Sequence, residues 1–106
     1  MTIKNITHLK ILGKDYKVEW FTPDPLITQE ISGRQAWNEG KILIDGTLDE
    51  WRSLDILLHE TIHALNDDMK IGLDEDMTNR LGAGLQCIVR DNWKELKAIA
   101  TSAARK

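Results

Sequence analysis

The sequence predicts an α+β fold in which short strands come first and two or three helices follow. Three observations predict it. Tyr16, Val18 and Trp20 alternate with Lys17 and Glu19, the period of a half-buried strand. Ile42, Leu43 and Ile44 form a short apolar run just after Gly40, a second strand signal. Leu54, Leu57, Leu58, Ile62 and Leu65 recur at the three- and four-residue spacing of one helix face. Strand patterns stop near Asp45 and helical ones start after it, the segregation that marks α+β architecture.

The chain has 106 residues, so a single domain spanning 1–106 is expected. Fourteen Lys and Arg face seventeen Asp and Glu, for a net charge of -3. The basic residues are scattered among acids, and Arg105 and Lys106 are too few to make a basic tail, so a nucleic-acid partner is not expected. One cysteine, Cys87, allows no intramolecular disulfide, and its neighbours Leu85 and Ile88 predict that it packs in or near the core. The first residues lack the apolar run of a signal peptide, and no segment has the apolar length of a membrane span. A cytoplasmic protein with no membrane partner is therefore expected.

The strands fall in order. Residues 9–12 are a short candidate, and Gly13, Lys14 and Asp15 are the expected connection to the strand around Tyr16 and Val18. Pro23 and Pro25 end that strand, because proline cannot donate to a ladder. Residues 33–40 are read as the hairpin partner of 41–45, with Asn38, Glu39 and Gly40 turning between them. An antiparallel sheet of three to four strands follows from this reading.

The helices come next. Thr47 with Glu50 three residues later forms a capping box for a helix running to about Asn66. A second helix starts near Leu73 or Asp74, with Met77, Leu81, Leu85, Ile88 and Val89 as its apolar positions. Gly82 and Gly84 are poor helix formers, which predicts close approach to the first helix. Asn92 is a stop, and Trp93, Leu96 and Ile99 outline a third helix.

On the first helix lies His59-Glu60-Thr61-Ile62-His63, an H-E-x-x-H sequence. Histidines four apart face the same way and can grip one divalent metal, usually zinc. Glu60 is turned about 100° from His59, beside such a metal rather than on it, where a general base belongs. The apolar run Ile56, Leu57, Leu58 sets the pair against a core. A third ligand is expected from the acidic start of the second helix. Glu75 is the first choice, because it shares a face with Gly82, Leu85 and Val89. Asp76 and Asp74 remain alternatives. Asp67, four residues after His63, is a candidate to support the imidazoles from outside; Asp55, four before His59, is another, but is read first as a solvated helix-face acid.

These residues carry a resemblance. The run of residues 57–65, then Gly72-Leu73-Asp74-Glu75, then Leu81-Gly82-Ala83-Gly84-Leu85, then Asp91-Asn92 resembles small zincin-like metallopeptidases encoded by bacteriophages and prophages. The spacing of Glu75, Thr78, Leu81 and Gly82 is similar to the ligand helix of ImmA/IrrE-type metallopeptidases. Thr78 and Gly82 replace the more usual Val or Ala and Ala, and both are small. The likeness covers roughly residues 33–92. It implies a small zincin-like domain, zinc held by His59, His63 and Glu75, and Glu60 as the catalytic base. It also implies a gluzincin-like peptidase acting on a peptide or protein, in a bacterial host cytoplasm if phage-encoded.

Three further expectations complete the reading. Substrate lies extended along an exposed strand edge within residues 32–39. Tyr16, Arg34, Arg80 and His8 are the candidates to stabilise an oxyanion. The competing reading is a zinc-stabilised regulatory or binding protein without significant proteolysis. A closed structural zinc would need a fourth ligand from His8, Asp67 or Cys87.

Overall fold

The computed structural model describes residues 3–22, 33–34 and 40–104. A 3₁₀ turn, Ile3–Asn5, precedes strands β1 (His8–Ile11), β2 (Lys14–Phe21), β3 (Gly33–Arg34) and β4 (Lys41–Asp45). Helices α1 (Glu50–Met69), α2 (Glu75–Asp91) and α3 (Trp93–Ala104) follow. The architecture is the α+β one expected from the sequence. Among the described residues no helix is long and apolar enough to cross a membrane.

The four strands form one sheet in the order β1-β2-β4-β3. β1 and β2 are an antiparallel hairpin with Leu9 opposite Tyr16. Leu12 and Gly13 both take positive φ, 50° and 82°, as a two-residue turn between right-twisted strands demands. The turn therefore lies one residue earlier than expected, and Lys14 and Asp15 belong to β2. β3 pairs antiparallel with β4, Gly33 opposite Ile44, as the hairpin reading required. The expected turn residues Asn38 and Glu39 lie outside the described residues.

The sheet is mixed, which corrects the expectation of antiparallel pairing throughout. β2 and β4 run parallel, with Val18 opposite Ile42 and Trp20 opposite Ile44. The Gly40 carbonyl accepts the Lys17 N–H at 2.9 Å, and the Phe21 carbonyl accepts the Gly46 N–H at 2.7 Å, closing the pair at both ends. Alternation specifies which side chains face the core and is blind to strand direction, so the period alone could not distinguish the two.

One face of this sheet is covered by α1. Ile42 and Ile44 are fully buried, and Ile11, Tyr16, Val18, Leu54, Leu57 and Ala64 join them with Ile3 in one core. The N-terminus is tied on by polar contacts. Glu50 accepts the Ile3 N–H at 2.8 Å, and the Trp20 indole donates to the Ile6 carbonyl at 2.9 Å.

The start of α1 differs from the expected capping box. Asp45 takes the Thr47 N–H and hydroxyl, at 2.8 and 2.6 Å, in a local turn. With Thr47 engaged there, Asp49 becomes the N-cap and accepts the Arg52 N–H at 2.8 Å. α1 then runs past Asn66 to Met69, and Lys70 closes it in the left-handed conformation. Asp74 caps α2, and Asn92 separates it from α3.

The seam between α1 and α2 is made by small residues. Thr78 and Gly82 are the buried positions of α2. Met77, Leu81, Leu85 and Ile88, expected as the packed stripe, are exposed on a neighbouring face. Cys87 is exposed as well, which corrects its expected place in the core. A Cβ on Gly82 would lie 3.8 Å from His59 Cα and from Ile62 Cδ1, so this glycine marks the close approach. One on Gly84 would meet nothing within 4 Å, so Gly84 has no packing role of that kind.

Gly84→Ala should therefore stabilise the protein by about 0.5–1 kcal/mol, raising the melting temperature by a few degrees. A thermal melt of the metal-free protein checks it, and a lower melting temperature would show an unseen contact at that face.

Candidate metal centre

α1 presents His59 and His63 one turn apart, with their Nε2 atoms 3.0 Å from each other. The ring planes are steeply inclined, 76°, so the two nitrogens converge rather than stack. α2 supplies the third group at its first residue. Glu75 Oε1 lies 3.0 Å from His59 Nε2, and Oε2 lies 3.2 Å from His63 Nε2. Ligand atoms about 2.0–2.1 Å from a tetrahedral zinc stand roughly 3.3–3.4 Å apart. Each of the three contacts is within a few tenths of an ångström of that spacing, the two imidazoles meeting different oxygens of the one carboxylate.

Two imidazoles and one carboxylate form a group able to hold a metal ion, and no fourth His, Cys, Asp or Glu joins it among the described residues. The alternatives for the third ligand are engaged elsewhere. Asp74 Oδ1 accepts the Met77 N–H at 2.8 Å as the cap of α2. Asp76 Oδ2 pairs with Arg80 Nε at 3.0 Å, one turn along the same helix. Helix phase brings Glu75 to the histidines: it shares its face with Thr78 and Gly82, the buried positions of α2.

Glu60 stands next to this group and outside it. It is only 4% exposed, and its Oε2 has no hydrogen-bond partner among the described residues. Burial, with the Glu75 charge as a second cause, pushes its carboxyl up to about 7. An ionisable group left this costly in a core needs a reason, and a neighbouring cation would supply one. His63 is shifted the other way. Burial first, and then His59, lower its pKa against the opposing pull of Glu75. Neutral imidazole is the form that donates to a metal.

The remaining sequence candidates are dispersed. Tyr16 is buried in the core between sheet and helix and offers no donor to an open site. His8 is exposed on β1 with its Nδ1 3.1 Å from the Thr7 hydroxyl. Arg80 belongs to the Asp76 pair. The Arg34 side chain lies outside the described residues. Thr61, inside the motif, donates its hydroxyl to the Leu57 carbonyl at 2.7 Å and is structural. The residue missed in the sequence is Asn66, which holds the connection leading to Glu75. Its signal was a polar side chain three residues after His63, on the same helical surface.

Comparison with models of known protein families, with curated proteins and with solved structures found no match to this chain.

Glu60 sets a pH signature for the metal-free protein. Its folded pKa lies above the model value of 4.5, so the native state holds the proton more tightly than the unfolded chain. Below 4.5 both states are protonated and the group costs nothing. From there to about 7 the stability falls as pH rises, by on the order of 3 kcal/mol in all. Urea titrations in a chelator across this range should show that fall, and Glu60→Gln should flatten it.

Proposed function

We propose that this chain is a zinc-dependent metallopeptidase. The observation that carries the reading is the convergence of His59, His63 and Glu75 beside a buried Glu60 whose Oε2 has no hydrogen-bond partner among the described residues. Two nitrogen donors and one carboxylate form a known ligand set for catalytic zinc, which leaves a coordination position for water or substrate. A dication held there by His59, His63 and Glu75 would supply Lewis-acid chemistry and would lower the pKa of a water beside it.

The protein groups then divide the work. Glu60 takes the proton of the water that attacks the peptide carbonyl, and returns it to the departing amine. A nearby cation favours the charged form of a carboxylate, so metal binding brings Glu60 down from its raised pKa into the ionised state a base requires. Burial acts against that ionisation, and by doing so it keeps the ionised carboxylate basic toward the proton of the water. His63, held toward its neutral form, stays a ligand rather than an acid.

The sheet offers a way to hold a peptide. β3 has β4 on one side only and forms the edge of the sheet. An extended peptide could add there as a further strand, its main chain making the hydrogen bonds and its side chains setting specificity. This matches the sequence expectation of an edge within residues 32–39.

The test separates metal binding from chemistry. Glu60→Gln should cut cleavage of an unfolded protein substrate by about 10²–10⁴-fold and leave zinc stoichiometry at one per chain. Glu75→Ala and His59→Ala should lose both. If Glu60→Gln cleaves as fast as the unaltered protein, or leaves the biological activity untouched, the peptidase reading is wrong.

A further inference from the structure

We infer that Asn66 is the positioning residue that sets Glu75 at the metal. The inference rests on reading His59, His63 and Glu75 as the metal centre. Glu75 needs such a residue, because its side chain is 59% exposed and packing does little to hold it. The backbone that delivers it must supply the order.

That backbone is wrapped around one side chain. Asn66 Oδ1 accepts the N–H groups of Gly72 and Leu73, both at 2.9 Å. Its Nδ2 donates to the Leu73 carbonyl at 3.1 Å. Its own carbonyl accepts the Lys70 N–H that ends α1 and the Ile71 N–H at 3.2 Å. Every residue from 70 to 73 is thereby bonded to Asn66. Leu73 is held by both of its backbone polar groups, one residue before the cap Asp74 and two before Glu75. The turn also needs Gly72, whose φ of +87° places its N–H toward the amide at no steric cost.

The location matters as much as the bonds. Asn66 is three residues beyond His63, so it rides on the surface of α1 that carries both imidazoles. One rigid helix thus holds two ligands directly and the third by reference. An error in the turn is passed straight to Glu75, whereas the His pair is unaffected by it. Groups that orient a ligand without touching the metal typically account for 10–100-fold in affinity.

A double-mutant cycle read by zinc affinity tests this, using competition with a chromophoric chelator on the full chain. Asn66→Ala should weaken zinc binding about 10–100-fold in the unaltered background and less than about threefold when Glu75→Ala is already present. Asn66→Asp, which keeps the acceptor for Gly72 and Leu73 but loses the donor, should fall between and serves if the alanine variant does not fold. A residue that merely supports the fold would weaken binding equally in both backgrounds, and that result overturns the inference. So does an Asn66→Ala or Asn66→Asp variant with unchanged affinity. If Glu75→Ala itself leaves zinc affinity intact, the ligand set is wrong and the role of Asn66 falls with it. If Glu75→Ala weakens binding and the Asn66 variants do not, only Asn66 is misassigned.

Discussion

The site depends on how closely α2 lies against α1. Histidines four apart on a helix are fixed by the helix itself, but a third ligand must arrive from elsewhere. Here a carboxylate reaches the two imidazoles because Thr78 and Gly82 bring α2 close enough that a Cβ at 82 would touch the His59 backbone. Glu75 sits one and two turns before them on the same face, so the seam that packs the helices also aims the carboxylate. α1 is in turn held by the sheet through Leu54, Leu57 and Ala64. Its core-facing surface and its histidine-bearing surface are different sides of one helix, which lets a small domain present a rigid cluster without a large interior.

Electrostatics give the arrangement its direction. Without a cation, Glu75 lies in contact with two imidazoles and its charge raises the buried Glu60. Burial lowers the pKa of His63, which favours its neutral, ligating form. A dication there would relieve these tensions together: Glu75 would offset one of its charges, the imidazoles would bind it and the Glu60 carboxylate would lie close by. Metal binding and folding are therefore expected to be linked, as they are wherever a site preforms only in the native state.

Much of this was legible in the sequence, and the remainder was hidden for identifiable reasons. The motif helix, the acidic start of α2 and the choice of Glu75 followed from helical spacing, because residues three and four apart must share a face. Strand direction did not follow, because Val18 and Ile42 alternate in the same way in parallel and antiparallel pairs. The cap moved from Thr47 to Asp49 because Asp45 competes for the threonine, a choice that depends on local turn geometry. The apolar stripe of α2 misled most. Leu81, Leu85 and Ile88 have helical period, but the seam requires small side chains, and these larger ones are displaced to the side. The position of Asn66 three residues after His63 was visible, but its role was not, because its partners are backbone groups of residues 70–73, which leave no trace in side-chain pattern.

The proposed coordination of one zinc by two imidazole nitrogens and one carboxylate can be read by X-ray absorption spectroscopy of the zinc-loaded protein. The account predicts one zinc per chain with only nitrogen and oxygen neighbours at about 2.0–2.2 Å, and outer-shell scattering from two histidines. A sulfur neighbour near about 2.3 Å would bring in Cys87, and scattering from fewer than two imidazoles would break the His59–His63 pair. Either result would contradict the account.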